Sequence, residues 1–228
     1  HHIDTSDNSP VFSKCFRVEH AMREKMRTII NEMLIDGVIV PSKSPWASPL
    51  FLISKKDGSL RPVVDYRRLN DVTKTQVYPL PNMEDCFDAI GNAKYFSTLD
   101  LKHGFWQIPL DVNSREKTAF TCPIGHFEFN VMPFGIKNAP SEFQKTMEIV
   151  LSGLNWRKCL VYIDDIIIFS STFDEHLTAI RDVFSALNRA NLKVKPEKCH
   201  FLQSNITFLG HIVSASGIQP DPTKIKDL

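Results

Sequence analysis

One stretch constrains this chain more than any other: Leu160-Val-Tyr-Ile-Asp-Asp-Ile-Ile-Ile-Phe169, a strand-like apolar run broken by two adjacent acids. A buried ionised carboxylate costs several kcal/mol (order of magnitude) unless it is paired or binds a metal. Two side by side repel each other and raise that cost. The residues alone leave two readings open. In one, a β-hairpin exposes Asp164-Asp165 at its turn. In the other, the hairpin delivers its acids to a divalent cation. Adjacent residues on a straight strand face opposite ways, so Asp164 is expected as the direct ligand and Asp165 needs the turn to reach the metal.

A second acid stands in a similar setting. Phe96-Ser-Thr-Leu-Asp100 is an apolar strand ending in a carboxylate, which taken alone reads first as an end cap. Neighbouring strands lie about 4.8 Å apart, so Asp100 and Asp164 on adjacent strands are expected to share two ions roughly 3.5–4 Å apart. Oxygen ligands with open positions suit Mg²⁺.

The rest of the chain sets the frame. With 43% hydrophobic and 23% charged residues, the composition is that of a soluble globular protein. A net charge of +1 requires any nucleic-acid contact to rest on a local patch. Five scattered cysteines form no C-x-x-C pair and read as free thiols in a reducing compartment. Without a long apolar run, no membrane partner is expected. The chain starts without Met, which suggests a piece of something longer.

Residues 1–16 read as an extended arm. Met22, Met26, Ile29, Ile30, Met33 and Leu34 repeat at helical spacing, and Gly37 is a natural stop. Leu50–Ser54 and Arg61–Tyr66 predict a hairpin turning at Lys55-Lys-Asp-Gly58, with a basic tip. A short helix over 82–90, a strand over 95–101, an extended region over 117–132 turning at Gly125, and a helix over 141–151 follow. Thr172 and Glu175 match a capping box opening another helix. Strands are expected over 192–194 and 206–213. Hairpins without a regular βα repeat favour an α+β fold.

Tyr162-Ile-Asp-Asp165 matches the Tyr-x-Asp-Asp motif of reverse transcriptases, and further blocks arrive in order. Ser97–Ile108 resembles the first catalytic block, Met132–Gln144 the second, Leu192–Lys198 the fourth, and Phe208-Leu-Gly-His211 the primer-grip block. Trp46-Ala-Ser-Pro49 and Lys55–Asn70 look like the fingers of Gypsy-type retrotransposons. The resemblance covers nearly the whole chain from about residue 17.

The resemblance implies a right-hand polymerase without its thumb. Fingers would span 17–75 and 108–138, palm 76–107 and 139–215, and a link toward the thumb 216–228. It implies RNA-directed DNA polymerase activity, with Asp100, Asp164 and Asp165 as catalytic carboxylates holding two Mg²⁺ ions, Mn²⁺ being an alternative. Nucleotide contacts would come from Lys55, Arg61, Leu101, Phe105, Phe134, Gly135 and Lys198. Phe105 would be the gate against a ribose 2′-hydroxyl, and Phe208, Leu209, Gly210 and His211 would hold the primer end. Gln107 and Gln144 would touch substrate or support the site. The implied partners are an RNA and DNA template-primer, dNTPs, and the rest of a Pol polyprotein (thumb, RNase H, protease and integrase). The implied location is a cytoplasmic virus-like particle, with nuclear import in addition.

Two other classes share some of these features. A decayed remnant serving as a binding or assembly module would not need acids, gate and grip together. An RNA-templated RNA polymerase would tolerate a small residue at position 105.

Overall fold

A computed structural model describes residues 1–55 and 58–222, so the expected turn residues Lys56 and Asp57, and the end of the expected thumb link, lie outside the described residues. The strands in chain order are β1 (Ile39–Pro41), β2 (Ser48–Ser54), β3 (Leu60–Val64), β4 (Tyr95–Asp100), β5 (Phe120–Cys122), β6 (Gly125–Phe129), β7 (Cys159–Tyr162), β8 (Asp165–Ser170), β9 (His200–Gln203), β10 (Asn205–Phe208), β11 (His211–Ser214) and β12 (Gly217–Pro220). The fold is α+β, as the mixed pattern predicted. The chain divides into two units, His1–Val77 with Phe105–Glu142, and Tyr78–Gly104 with Phe143–Leu228.

In the first unit, a helix over His20–Ile35 buries Met26, Ile30 and Met33 along one stripe. Gly37 ends it at φ 68°, with its N–H on the Leu34 carbonyl, a conformation that costs glycine little. The sheet runs β1-β6-β5-β2-β3. Its β2–β3 hairpin pairs Leu50 with Val64 through Ser54 with Leu60. The return strand stops at Val64, earlier than predicted, because Tyr66 leads into a short helix over Arg67–Val72. The N-terminal arm is anchored to its unit. The Ile3 N–H donates to Ser114 Oγ, Lys117 Nζ donates to the Ile3 carbonyl, and Ile3 and Thr5 are buried.

In the second unit, the sheet runs β7-β8-β4-β9. Ile166 to Phe169 of β8 are all buried, which explains the unbroken apolar run: both faces of the strand are covered. On one face, Phe96, Leu160, Ile167 and Phe169 pack with Cys86 and Ile90 of the helix Met83–Ile90 and with Ile206, Phe208 and Val213. On the other lies the helix Phe173–Arg189, which buries His176, Ala179, Val183, Ala186 and Leu187. The expected strand over 192–194 is only an isolated bridge, Leu101 to Val194. Asn191 at φ 56° and the 3-10 turn at Pro196–Lys198 leave too little extended chain between them. The expected strand over 206–213 is a hairpin, β10 and β11, with Leu209-Gly210 at its turn.

The capping box forms as predicted: the Glu175 N–H donates to Thr172 Oγ1 and the Thr172 N–H to Glu175 Oε2. Thr172→Ala is expected to cost about 1 kcal/mol of unfolding free energy, measured as a lowered urea midpoint with unchanged slope.

Candidate active site

The β4 and β8 ladder runs from Tyr95 opposite Ser170 to Asp100 opposite Asp165. Six antiparallel pairs, mostly buried and apolar, thus end in two facing carboxylates. Asp165, not Asp164, is thus the cross-strand neighbour of Asp100. The turn joining β7 and β8 has two residues, Ile163 and Asp164, because Tyr162 pairs with Asp165. That register puts Asp165 on the ladder and Asp164 at the tip.

Ile163 sits at φ 53°, and Asp164 is not in the left-handed region. This is the pattern of a hairpin turn that favours Gly in its first position, and a β-branched residue there is strained. Gln144 holds the strain in place. Wholly buried, its Oε1 accepts the Ile163 N–H at 2.7 Å while its Nε2 donates to the Val161 carbonyl at 3.0 Å and to Glu148 Oε1 at 2.8 Å. Glu148 Oε2 in turn accepts the Tyr78 hydroxyl. Gly104 provides the other support. A Cβ there would lie 3.1 Å from the Phe143 ring and 3.4 Å from Asp164 Oδ1, so only the smallest residue lets these groups approach.

The electrostatics follow from this packing. The protein around Asp165 withdraws enough water to push its carboxyl above the usual value, and the Asp100 charge pushes it further, although part of its surface stays open. Lys198 Nζ lies 3.0 Å from Asp100 Oδ2 and offsets part of that repulsion. Among the described residues, no three His, Cys, Asp or Glu side chains form a ready metal cage. The donors nevertheless fit a hard cation. They are all oxygens, two face each other across a ladder, and Mg²⁺ is typically held by one or two carboxylates plus water and phosphates rather than by an all-protein cage.

The remaining expected residues divide between the units. Leu101 is buried beside its bridge to Val194. Phe208 is buried in the core with its ring edge-on to Phe87. Leu209 at φ 48° and Gly210 at φ 79° form the turn beyond it, and His211 packs on Phe87 from the other side of that turn. In the first unit, a cleft of about 390 Å³ is lined by Lys55, Arg61, Trp106, Phe134 and Gly135, among others. The Arg61 guanidinium stacks over the Phe134 ring at 4.4 Å, which orients it by cation–π attraction. Phe134 rests edge-on against the buried Phe105, centroids 4.6 Å apart. Gly135, at φ 90°, has its carbonyl accepting from Asn70 Nδ2.

A family model described as reverse transcriptase (RNA-dependent DNA polymerase) matches residues 53–213. The chain belongs to the reverse transcriptase family. It is 45% identical to the retrovirus-related Pol polyprotein from transposon 297 of Drosophila melanogaster, over 99% of this chain and 22% of that one. Against the Pol polyprotein from transposon gypsy of the same organism it is 39% identical, over 98% and 22%. The enzymatic polyprotein of cauliflower mosaic virus (strain Strasbourg) is 41% identical over 82% of this chain and 28% of its own. The structure of the foamy viral protease-reverse transcriptase in complex with RNA/DNA hybrid superposes with a TM-score of 0.88 at 27% identity, covering all of this chain and 30% of that one. These relatives place the chain among the reverse transcriptases of LTR retrotransposons, and it spans about a fifth of the transposon polyproteins' length. Reverse transcriptases generally use divalent metal ions.

Gln144 and Gly104 are the residues that the motif reading underweighted. Both lie inside the quoted blocks, but their roles depend on packing that spacing does not reveal.

Two outcomes are expected. Gln144→Leu leaves the Ile163 N–H and the Val161 carbonyl unpaired and should cost about 1–3 kcal/mol, read by denaturant unfolding. Asp165 has a raised folded pKa, so its neutral form favours the fold, and that contribution is lost as pH rises through the folded value. Asp165→Asn should therefore melt above the parent at pH 7 in metal-free buffer. The difference should shrink toward pH 3, where both side chains are neutral.

Proposed function

We propose that this chain carries the catalytic centre of an RNA-directed DNA polymerase and extends a primer 3′-hydroxyl with dNTPs. The observation that carries the reading is the ladder-end pair of Asp100 and Asp165 with Asp164 on the adjoining turn, in a member of the reverse transcriptase family. In the reaction, the primer 3′-oxygen forms a bond to the α-phosphorus as the bond to pyrophosphate breaks. Two Mg²⁺ ions, or Mn²⁺ in their place, would supply Lewis-acid activation of the hydroxyl and charge neutralisation at the phosphates. Asp100, Asp164 and Asp165 would hold them.

The other side chains act by charge and shape. Lys55 and Arg61 take triphosphate oxygens through charge-assisted bonds, with Arg61 already oriented by Phe134. Leu101 supports the nucleotide beside Asp100. Phe105, fixed by its edge contact to Phe134, blocks a ribose 2′-hydroxyl. Phe134-Gly135 offers a backbone surface without a side chain at position 135. Lys198, beside Asp100, donates a proton to the departing pyrophosphate. The hairpin turn Phe208–His211, stiffened by Phe87, steadies the primer end.

The substrates are an RNA or DNA template with its primer. The foamy viral protein is known in complex with RNA/DNA hybrid and with dsDNA, and its likeness to this chain supports the same ligands here. The partners are the remaining parts of a Pol polyprotein, namely thumb, RNase H, protease and integrase. The setting is a cytoplasmic virus-like particle followed by nuclear import. Among the described residues, no helix is long and apolar enough to cross a membrane.

Primer extension on poly(rA)/oligo(dT) with dTTP and Mg²⁺ tests the proposal, using this chain and a version extended through a thumb. Asp164→Asn should lower the rate by at least about a hundredfold. Extension undiminished in that variant would sink the reading. Phe105→Ala should raise ribonucleotide incorporation relative to deoxynucleotide.

A further inference from the structure

We infer that His176 is a positioning residue that fixes the register of strand β9 and so sets where Lys198 meets Asp100. The inference rests on the reading of Lys198 and Asp100 as active-site residues. Its starting point is a β-bulge. Across the β4–β9 pair, Phe96 faces Gln203 and Thr98 faces His200, with a register shift between them. Ser97 alone therefore stands opposite two residues, Phe201 and Leu202. Such an extra residue loses its ladder partner, and Leu202, at φ 51°, is strained besides.

The unpaired Leu202 N–H donates instead to Ser97 Oγ at 3.1 Å. Ser97 Oγ lies 2.7 Å from His176 Nε2, and His176 Nδ1 lies 3.0 Å from Ser170 Oγ, which donates its own proton to the Thr172 carbonyl at 2.9 Å. One proton arrangement satisfies every group. Ser170 has spent its hydrogen, so it accepts from His176, and Nδ1 carries the ring proton. Nε2 is then a bare acceptor for the Ser97 hydroxyl, whose oxygen lone pair faces Leu202. Ser97 and His176 are both wholly buried, and water does not substitute for a missing partner. Burial also keeps the imidazole neutral.

The consequence reaches the acids through β9. Lys198 ends the 3-10 turn two residues before β9 begins, and the Lys195 N–H is bonded to the Asp100 carbonyl. A strand slipped by one residue moves about 3.3 Å and turns its side chains to the other face, which would carry Lys198 off Asp100. His176 touches neither residue. It holds the one side chain, Ser97, that makes the bulged register tolerable.

The test uses ¹⁵N-histidine-labelled chain in metal-free buffer at pH 7. Ring ¹⁵N–¹H correlation should show His176 as the neutral Nδ1–H tautomer, the minor form for free histidine. An Nε2–H tautomer would overturn the inference without any variant. Hydrogen exchange then follows the amides. Ser97→Ala should speed exchange at Leu202 roughly five- to a hundredfold, while Val183 in the helix core keeps its parent rate as a control for global unfolding. Unchanged exchange at Leu202 would equally overturn it. Neither readout requires catalysis, so both stand if the polymerase assignment fails. Where extension is measurable, His176→Phe should lower kcat at least about tenfold, because a displaced Lys198 no longer protonates the departing pyrophosphate. A rise in KM alone would count against it.

Discussion

Like-charge repulsion at the end of the β4–β8 ladder is the constraint around which the second unit is built. Two carboxylates face each other where five preceding pairs have fixed the strands, so neither acid can retreat without breaking the sheet. The apolar ladder supplies the rigidity. Phe96, Leu99, Ile166, Ile167 and Ile168 are buried, and a slip of one residue would turn each to the opposite face. Loss of water around Asp165 and, after it, the Asp100 charge raise the Asp165 pKa, and Lys198 relieves only the Asp100 side of the repulsion. An incoming cation would find its ligands already oriented, with the cost of bringing them together met by packing elsewhere in the unit.

The first unit solves a different problem, the presentation of positive charge. A long, flexible Arg side chain loses entropy when fixed, and stacking on Phe134 removes much of that freedom beforehand. Phe134 is itself held by Phe105, which is buried. Aromatic packing thus reaches from the core to the cleft surface. With a net charge of only +1, a few oriented cations set the local potential of the cleft, and the total charge is a poor guide to it.

Much of this was legible in the sequence because the strongest patterns are local. The capping box at Thr172, the stop at Gly37 and the β2–β3 hairpin follow from residue type and spacing. The paired acids stood out because charge in an apolar run violates the usual pattern. That Asp165 stands opposite Asp100 on the ladder was not legible, since strand alternation says which residues share a face but not where a turn begins. That depended on the two-residue turn at Ile163, a position where propensity argues for Gly. The short helix over Arg67–Val72 and the edge strand β9 were likewise missed. Each owes its form to long-range contacts, such as the Asn70 bonds to Gly135 and Lys137 and the Ser97 bond to Leu202.

The positions where local rules fail have an order of their own. Of the seven non-glycine residues at positive φ among those described, only Ser6 lies in the first unit. His103 follows the β4 acid, Ile163 shapes the acid-bearing turn, Leu202 forms the bulge beside Ser97, and Leu209 opens the β10–β11 turn. Each would be easier to form with glycine, at about 1 kcal/mol or more per residue. A hydrogen-bond partner from elsewhere in the unit holds two of them: Gln144 for Ile163 and Ser97 for Leu202. Glycine would relieve the strain but leave the backbone free to adopt other turns. A strained residue clamped by a buried side chain has one geometry, so the acids and the bulge beside it stay where the sheet puts them.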